Sequence, residues 1–159
     1  MKKRLLIPYL FVFVLLAHSH AQEASDQEQI RLLFEKVDAA WTSPVKEGIR
    51  LWKEITGDAE FTLIMHDLED PDKTVALDRK SFLAAFEKIM NRNPSIKHNH
   101  ATVRLNIYGA VAYETGTVVD VKKNGNSRTS EVFSILVKEY GTWRILLTTS
   151  APEVEKQFE

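Results

Sequence analysis

Apolar residues recur every three or four positions early in the chain, at Ile30, Leu33, Phe34, Val37 and Trp41. That spacing predicts an amphipathic helix. Ser25-Asp26-Gln27-Glu28, just ahead of it, has the form of a capping box, in which the Ser hydroxyl and the Glu carboxylate satisfy each other's backbone N–H groups. Ser43-Pro44 opens a second helix with Val45, Ile49, Trp52 and Ile55 on its apolar face, and Gly57 is its expected stop. The pattern then changes to alternation. Phe61, Leu63 and Met65 predict a strand over 59–66, and Thr74 to Leu77 a short one. Asp78 is placed to cap a third helix whose apolar face is Phe82, Ala85, Phe86, Ile89 and Met90, ended by Asn93-Pro94.

From Lys97 the alternation becomes sustained. Ala101, Val103, Leu105 and Ile107 fall on one face of a strand; His100, Thr102, Arg104 and Asn106 fall on the other. Further strands follow over 111–121, 131–139 and 142–150, rich in β-branched residues. Their turns are Tyr108-Gly109-Ala110, Asn124-Gly125 and Tyr140-Gly141, and Asn-Gly is the pair a type I′ hairpin asks for. Three amphipathic helices need an apolar surface to cover, and the antiparallel meander offers it. The predicted fold class is α+β, a cone-shaped curved antiparallel sheet wrapped around the three helices, with a pocket at its wide end.

Composition adds a compartment. Lys2, Lys3 and Arg4 precede an apolar run over 5–17, and Ser19-His20-Ala21 is a small-x-small site. This reads as a secretory signal peptide over residues 1–21, because the apolar run is shorter than the roughly 20 residues of a spanning helix. The expectation is a secreted or periplasmic protein with no membrane contact after cleavage, one domain over 22–150 and a polar tail over 151–159. Without Lys2, Lys3 and Arg4 the 21 basic residues fall to 18, against 22 acidic ones. No basic stripe remains for a nucleic acid. The chain has no cysteine, which removes thiol nucleophiles, thiolate metal sites and disulfides.

Three fragments, in this order, carry a family resemblance: Ala40-Trp41, Gly109-Ala-Val-Ala-Tyr-Glu-Thr-Gly116 and Gly141-Thr-Trp143-Arg-Ile145. The chain resembles the nuclear transport factor 2-like (NTF2-like) superfamily, in particular its SnoaL-like and ketosteroid-isomerase-like small domains, over about 26–150. The resemblance implies a curved-sheet cone (a cystatin-like α+β roll), a pocket between sheet and helices, and frequent homodimerisation through the sheet. It implies no reaction, because such a fold hosts enzymes and binding proteins alike. Where relatives often carry a His near the end of the last strand, this chain has Thr149, and no ketosteroid-isomerase catalytic residue is carried over.

Glu114 is the carboxylate of most interest, in phase with the small Ala112 and Gly116. Two placements stay open. If that face looks inward, Glu114 stands in the pocket, where desolvation suits it to acid/base work. If Val111, Tyr113 and Val119 face inward instead, it pairs with a basic residue across the strand. His66 is the second acid/base candidate. Trp41, Trp52, Phe86, Tyr113, Glu114 and Thr149 are the candidate ligand-binding residues, with core packing the simpler account of Trp41. His98-Asn99-His100 has a chelating spacing to which His66 could add, but the polar side of a solvated strand end accounts for it without a metal. The acidic loop over 67–72 lacks the glycine and distant Glu of a calcium loop. No metal and no cofactor is expected. The expected partner is a small apolar or amphipathic molecule bound by a non-catalytic domain. The alternatives are a cofactor-independent isomerase, cyclase or dehydratase, and a structural module whose cavity its own side chains fill.

Overall fold

The computed structural model describes residues 6–57, 60–66, 73–92, 97–121 and 127–152, with side chains from Gln22 onward except those of His66 and Pro152. In chain order the elements are α1 (Leu6–Thr42), α2 (Val45–Thr56), β1 (Thr62–His66), β2 (Thr74–Asp78), α3 (Arg79–Arg92), β3 (Lys97–Tyr108), β4 (Val111–Val121), β5 (Ser127–Glu139) and β6 (Thr142–Pro152). The strands form one curved, open sheet in the order β2-β1-β6-β5-β4-β3. The α+β architecture is the expected one. Its one departure is β1, which pairs with β6 in parallel while every other pairing is antiparallel. β1 reaches the meander through β2 and α3 rather than a hairpin, so no tight turn fixes its direction.

The helix ends are partly as the sequence predicts. Asp78 caps α3, its Oδ1 accepting the Ser81 N–H at 2.7 Å. Gly57 ends α2 at φ 57°, its N–H donating to the Lys53 carbonyl. Pro44, not Ser43, is the cap residue of α2, and no side chain bonds there. Ser25 starts nothing, because α1 runs straight through it. Ala21-Gln22-Glu23-Ala24 are good helix formers, so the helix continues through the capping box. The Asn93-Pro94, Asn124-Gly125 and 67–72 segments lie outside the described residues.

All three helices share one core with the inner face of the sheet. α1 lies on β3 and β6, α2 on β6, and α3 on β1 and β2. Ile30, Leu33, Phe34 and Val37 of α1, Leu51, Trp52 and Ile55 of α2, and Phe82, Phe86 and Met90 of α3 meet Ala112, Leu136, Trp143 and Ile145.

Two β-bulges decide which side chains see that core. In β3, Thr102 pairs with Gly116 and Arg104 with Thr115, leaving Val103 unpaired. In β6, Ile145 pairs with Leu136 and Leu147 with Ile135, leaving Leu146 unpaired. An extra residue reverses the inside-outside phase of everything beyond it. The uninterrupted alternation that put His100 on the polar side of β3 is therefore corrected: His98 and His100 look inward before the bulge, as Leu105 and Ile107 do after it, and Val103 is exposed.

A buried polar contact pins α1 near its middle. Asp26 accepts from Lys138 Nζ at 2.5 Å, from Trp143 Nε1 at 3.1 Å and from Gln22 Nε2 at 3.3 Å. Burial pushes the Asp26 carboxyl up, but the hydrogen bonds from Lys138, Trp143 and Gln22 and the Lys138 charge outweigh it and hold the carboxyl below its ordinary value of 3.8. A depressed carboxyl stabilises the fold above that ordinary value and ceases to do so as pH falls through its lower, folded one. Asp26→Asn is expected to cost about 1–3 kcal/mol at pH 6 and to flatten the loss of stability on acidification, read by urea unfolding from pH 6 to pH 2. Parallel acid profiles for variant and parent would exclude the contact as a contributor.

Candidate functional site

Ala112, Glu114, Gly116 and Val118 occupy the inner face of β4, and all four are buried. The open question about Glu114 is thereby decided by the fold: its side chain is wholly enclosed. Next to it across β5 and β6 stand Ser134 and Thr148, whose hydroxyls lie 3.2 Å apart. From β3, His100 Nε2 comes within 3.1 Å of Glu114 Oε1. The approach is close enough for an ion pair but is not aligned as a hydrogen bond. Both oxygens of Glu114 and the Nε2 atoms of His98 and His100 consequently have no hydrogen-bond partner.

Gly116 makes this crowding feasible. A Cβ there would lie 2.4 Å from Glu114 Oε1, 2.6 Å from the Ala101 carbonyl oxygen and 3.0 Å from His100 Nε2.

The polar chain continues toward the end of the strands where β3 begins. His98 Nδ1 is 2.7 Å from Asp120 Oδ1, which fixes the ring and leaves Nε2 facing Asp38 Oδ1 at 3.8 Å. Asp38 Oδ1 also accepts the backbone N–H of His100 at 2.9 Å. Burial pushes the Asp38 carboxyl up, an effect that the nearby His98 and His100 rings and the His100 N–H offset only in part. Exposure falls steadily inward, from 37% for the Asp120 side chain and 27% for Asp38 to 7% for His98, 4% for His100 and 0% for Glu114. Two α1 rings wall the imidazoles: Phe34 stacks on His100 at 4.1 Å between ring centres, and Trp41 on His98 at 5.4 Å.

The other candidates divide between core and surface. Trp41, Trp52 and Phe86 belong to one aromatic cluster, with Trp41 4.9 Å from Phe86 and 6.2 Å from Trp52. Trp41 joins that cluster to the polar chain, its ring meeting both Phe86 and His98. Tyr113 is on the outer face, between Tyr108 at 5.9 Å and Phe133 at 6.4 Å. Thr149 is also on the outer face, in the row of Phe133 and Ile64; the Leu146 bulge gives the inner position to Thr148. His66, in β1, pairs with Thr74 of β2, and three inter-strand spacings, about 14 Å, separate β1 from the strand of Glu114. The geometry thus brings Glu114 together with His100, His98, Asp38 and Asp120, and with neither His66 nor Tyr113. Among the described residues a surface depression of about 410 Å3, bordered by Gly57, Glu139, Tyr140, Thr142 and Arg144, lies at the opposite end of the strands and shares no residue with this chain of groups.

Sequence reasoning overlooked Asp38, Asp120, Ser134 and Thr148. Asp38 had a signal: it breaks the apolar stripe at the position between Phe34 and Trp41. The other three are ordinary polar residues in strands until register and bulges are known.

No protein-family model matches the chain, and no curated protein matches it. Solved structures do. A protein of unknown function with a cystatin-like fold from Nostoc punctiforme superposes with a TM-score of 0.66 at 12% identity, covering 83% of this chain and 94% of that one. An NTF2-like protein of unknown function from Silicibacter pomeroyi gives 0.64 at 15% identity, with 82% and 98% covered. A third, from Shewanella baltica, gives 0.61 at 14% identity, with 83% and 97% covered. At such identities the likeness is one of fold.

Proposed function

We propose that this chain, whose fold is NTF2-like, is an exported domain that binds a small, mostly apolar or amphipathic molecule between its sheet and its helices. The observation that carries the proposal is the Glu114 carboxylate, wholly buried with both oxygens unpartnered and facing the unpartnered Nε2 of His100. Folding leaves such groups unsatisfied at a cost of kilocalories, and a ligand that meets them accounts for their retention. The aromatic residues Trp41 and Phe34 give that ligand an apolar wall. It needs no cofactor. Export follows the signal-like residues 1–21, and cleavage after Ala21 spares the anchor that Asp26 makes with Lys138 and Trp143.

The outer sheet face supports a homodimer. Tyr108, Tyr113 and Phe133 form an exposed aromatic row there, the kind of surface that a protein–protein contact covers. Native mass spectrometry of the protein recovered after export tests the whole reading at once. A dimer carrying a small-molecule adduct is expected; a monomer without adduct overturns it.

A second reading is favoured by one contact. The 3.1 Å approach of His100 to Glu114 is that of a carboxylate and an imidazole able to pass a proton, as a cofactor-independent isomerase or lyase requires. Turnover of an enolisable or dehydratable compound, lost in Glu114→Gln, separates enzyme from binder.

A further inference from the structure

We infer that the ligand taken at Glu114 is a cation, a primary amine or amidine joined to a flat apolar body; this rests on the binding reading above. Asp38 from α1 and Glu114 and Asp120 from β4 gather around His98 and His100 of β3. Among the described residues no lysine or arginine pairs with any of the three carboxylates. The group brings three acidic side chains to two imidazoles, so its carboxyls outnumber the positive charges that the imidazoles can offer. A buried carboxylate without a positive partner or hydrogen bonds is unfavourable, whereas a matched ammonium supplies both the charge and up to three donors.

The unpartnered atoms fit such a head group. Glu114 Oε1 and Oε2 accept only, and His98, whose Nδ1 donates to Asp120, leaves its Nε2 as an acceptor, while His100 Nε2, 3.1 Å from Glu114 Oε1, supplies at most one donor. Acceptors therefore outnumber donors, which disfavours an anionic ligand and rewards a donor-rich one. Asp38 and Asp120, both partly open to solvent, stand at the outer end of the series, where they attract a cation before it passes His98. The rings of Phe34 and Trp41, stacked on His100 and His98, make the surroundings of the imidazoles aromatic, an environment that suits a cation.

The test uses three size-matched probes, 2-phenylethylammonium, 2-phenylethanol and 3-phenylpropanoate, titrated calorimetrically into the mature protein at one ionic strength. The expected result is at least tenfold tighter binding of the ammonium than of the alcohol, no binding of the carboxylate, and loss of the tenfold preference in Glu114→Gln. Asp38→Asn, at the rim, should weaken the ammonium less than Glu114→Gln does, and circular dichroism of both variants checks that they fold. Equal or preferred binding of the alcohol or carboxylate overturns the cation while leaving the binding proposal standing. Heat from none of the three overturns the cation and counts against the binding proposal as well, unless native mass spectrometry shows a different adduct. A preference that survives Glu114→Gln moves the cation elsewhere and overturns the site.

Discussion

Glu114→Met should make the protein more stable, by about 1–4 kcal/mol in urea unfolding at neutral pH. Glu114 has no accessible surface, and neither carboxylate oxygen has a hydrogen-bond partner. A carboxyl group is therefore held out of water with little in return, and the 3.1 Å approach of His100 Nε2 is poorly aligned to compensate. A methionine has similar length and volume, no polar atoms, and enough freedom to fill the space beside Gly116. The variant keeps His100, a ring already stacked on Phe34. The same change should abolish ligand binding, the usual exchange between stability and function at a site whose polar groups serve a ligand. A loss of stability of comparable size would show that the carboxylate is satisfied in solution, and the argument from its unpartnered oxygens would fall with it.

Phe86→Ala should lose roughly 3–5 kcal/mol, a large part of the 5–15 kcal/mol that holds an ordinary domain. Phe86 is wholly buried where the three helices meet. Its ring lies 4.9 Å from Trp41, 6.2 Å from Phe82 and 6.4 Å from Trp52. It also packs where α1 and α2 come close: a Cβ on Gly48 would come 2.5 Å from the Ala40 carbonyl oxygen and 2.7 Å from Phe86 Cζ. Truncation removes the hydrophobic transfer of a whole ring and leaves a void that two packed helices and a sheet cannot close. Phe86→Leu, which keeps most of the volume, should recover most of the loss. A cost below about 1 kcal/mol for the alanine variant would mean that the ring borders open space, as a ligand-binding wall would, rather than core.

The two substitutions bear on different parts of one surface. Trp52 and Phe86 sit in the aromatic cluster, the polar chain from Asp120 to Glu114 lies beside it, and Trp41 touches both. A ligand with an apolar body and a polar head matches that division.

The amino-acid order by itself determined the kinds of element and their sequence. Helical spacing at Ile30 to Trp41, alternation after Lys97, and stops at Gly57 and Gly141 are local properties of the chain, and they led to a sheet wrapped around three helices. What it could not determine was side-chain phase across irregular strands. Val103 and Leu146 are unremarkable apolar residues, and nothing about them announces a bulge, because a bulge is a property of two strands paired in a given register. Yet the first accompanies His98 and His100 facing inward, and the second exchanges Thr149 for Thr148. Glu114 shows the same limit without a bulge, since its strand reads equally well with either face buried until α1 covers one of them. The assembly of Asp38, His98, His100, Asp120 and Glu114 joins a helix to two strands as much as 82 positions apart in sequence, and only tertiary packing could bring their charges into one place.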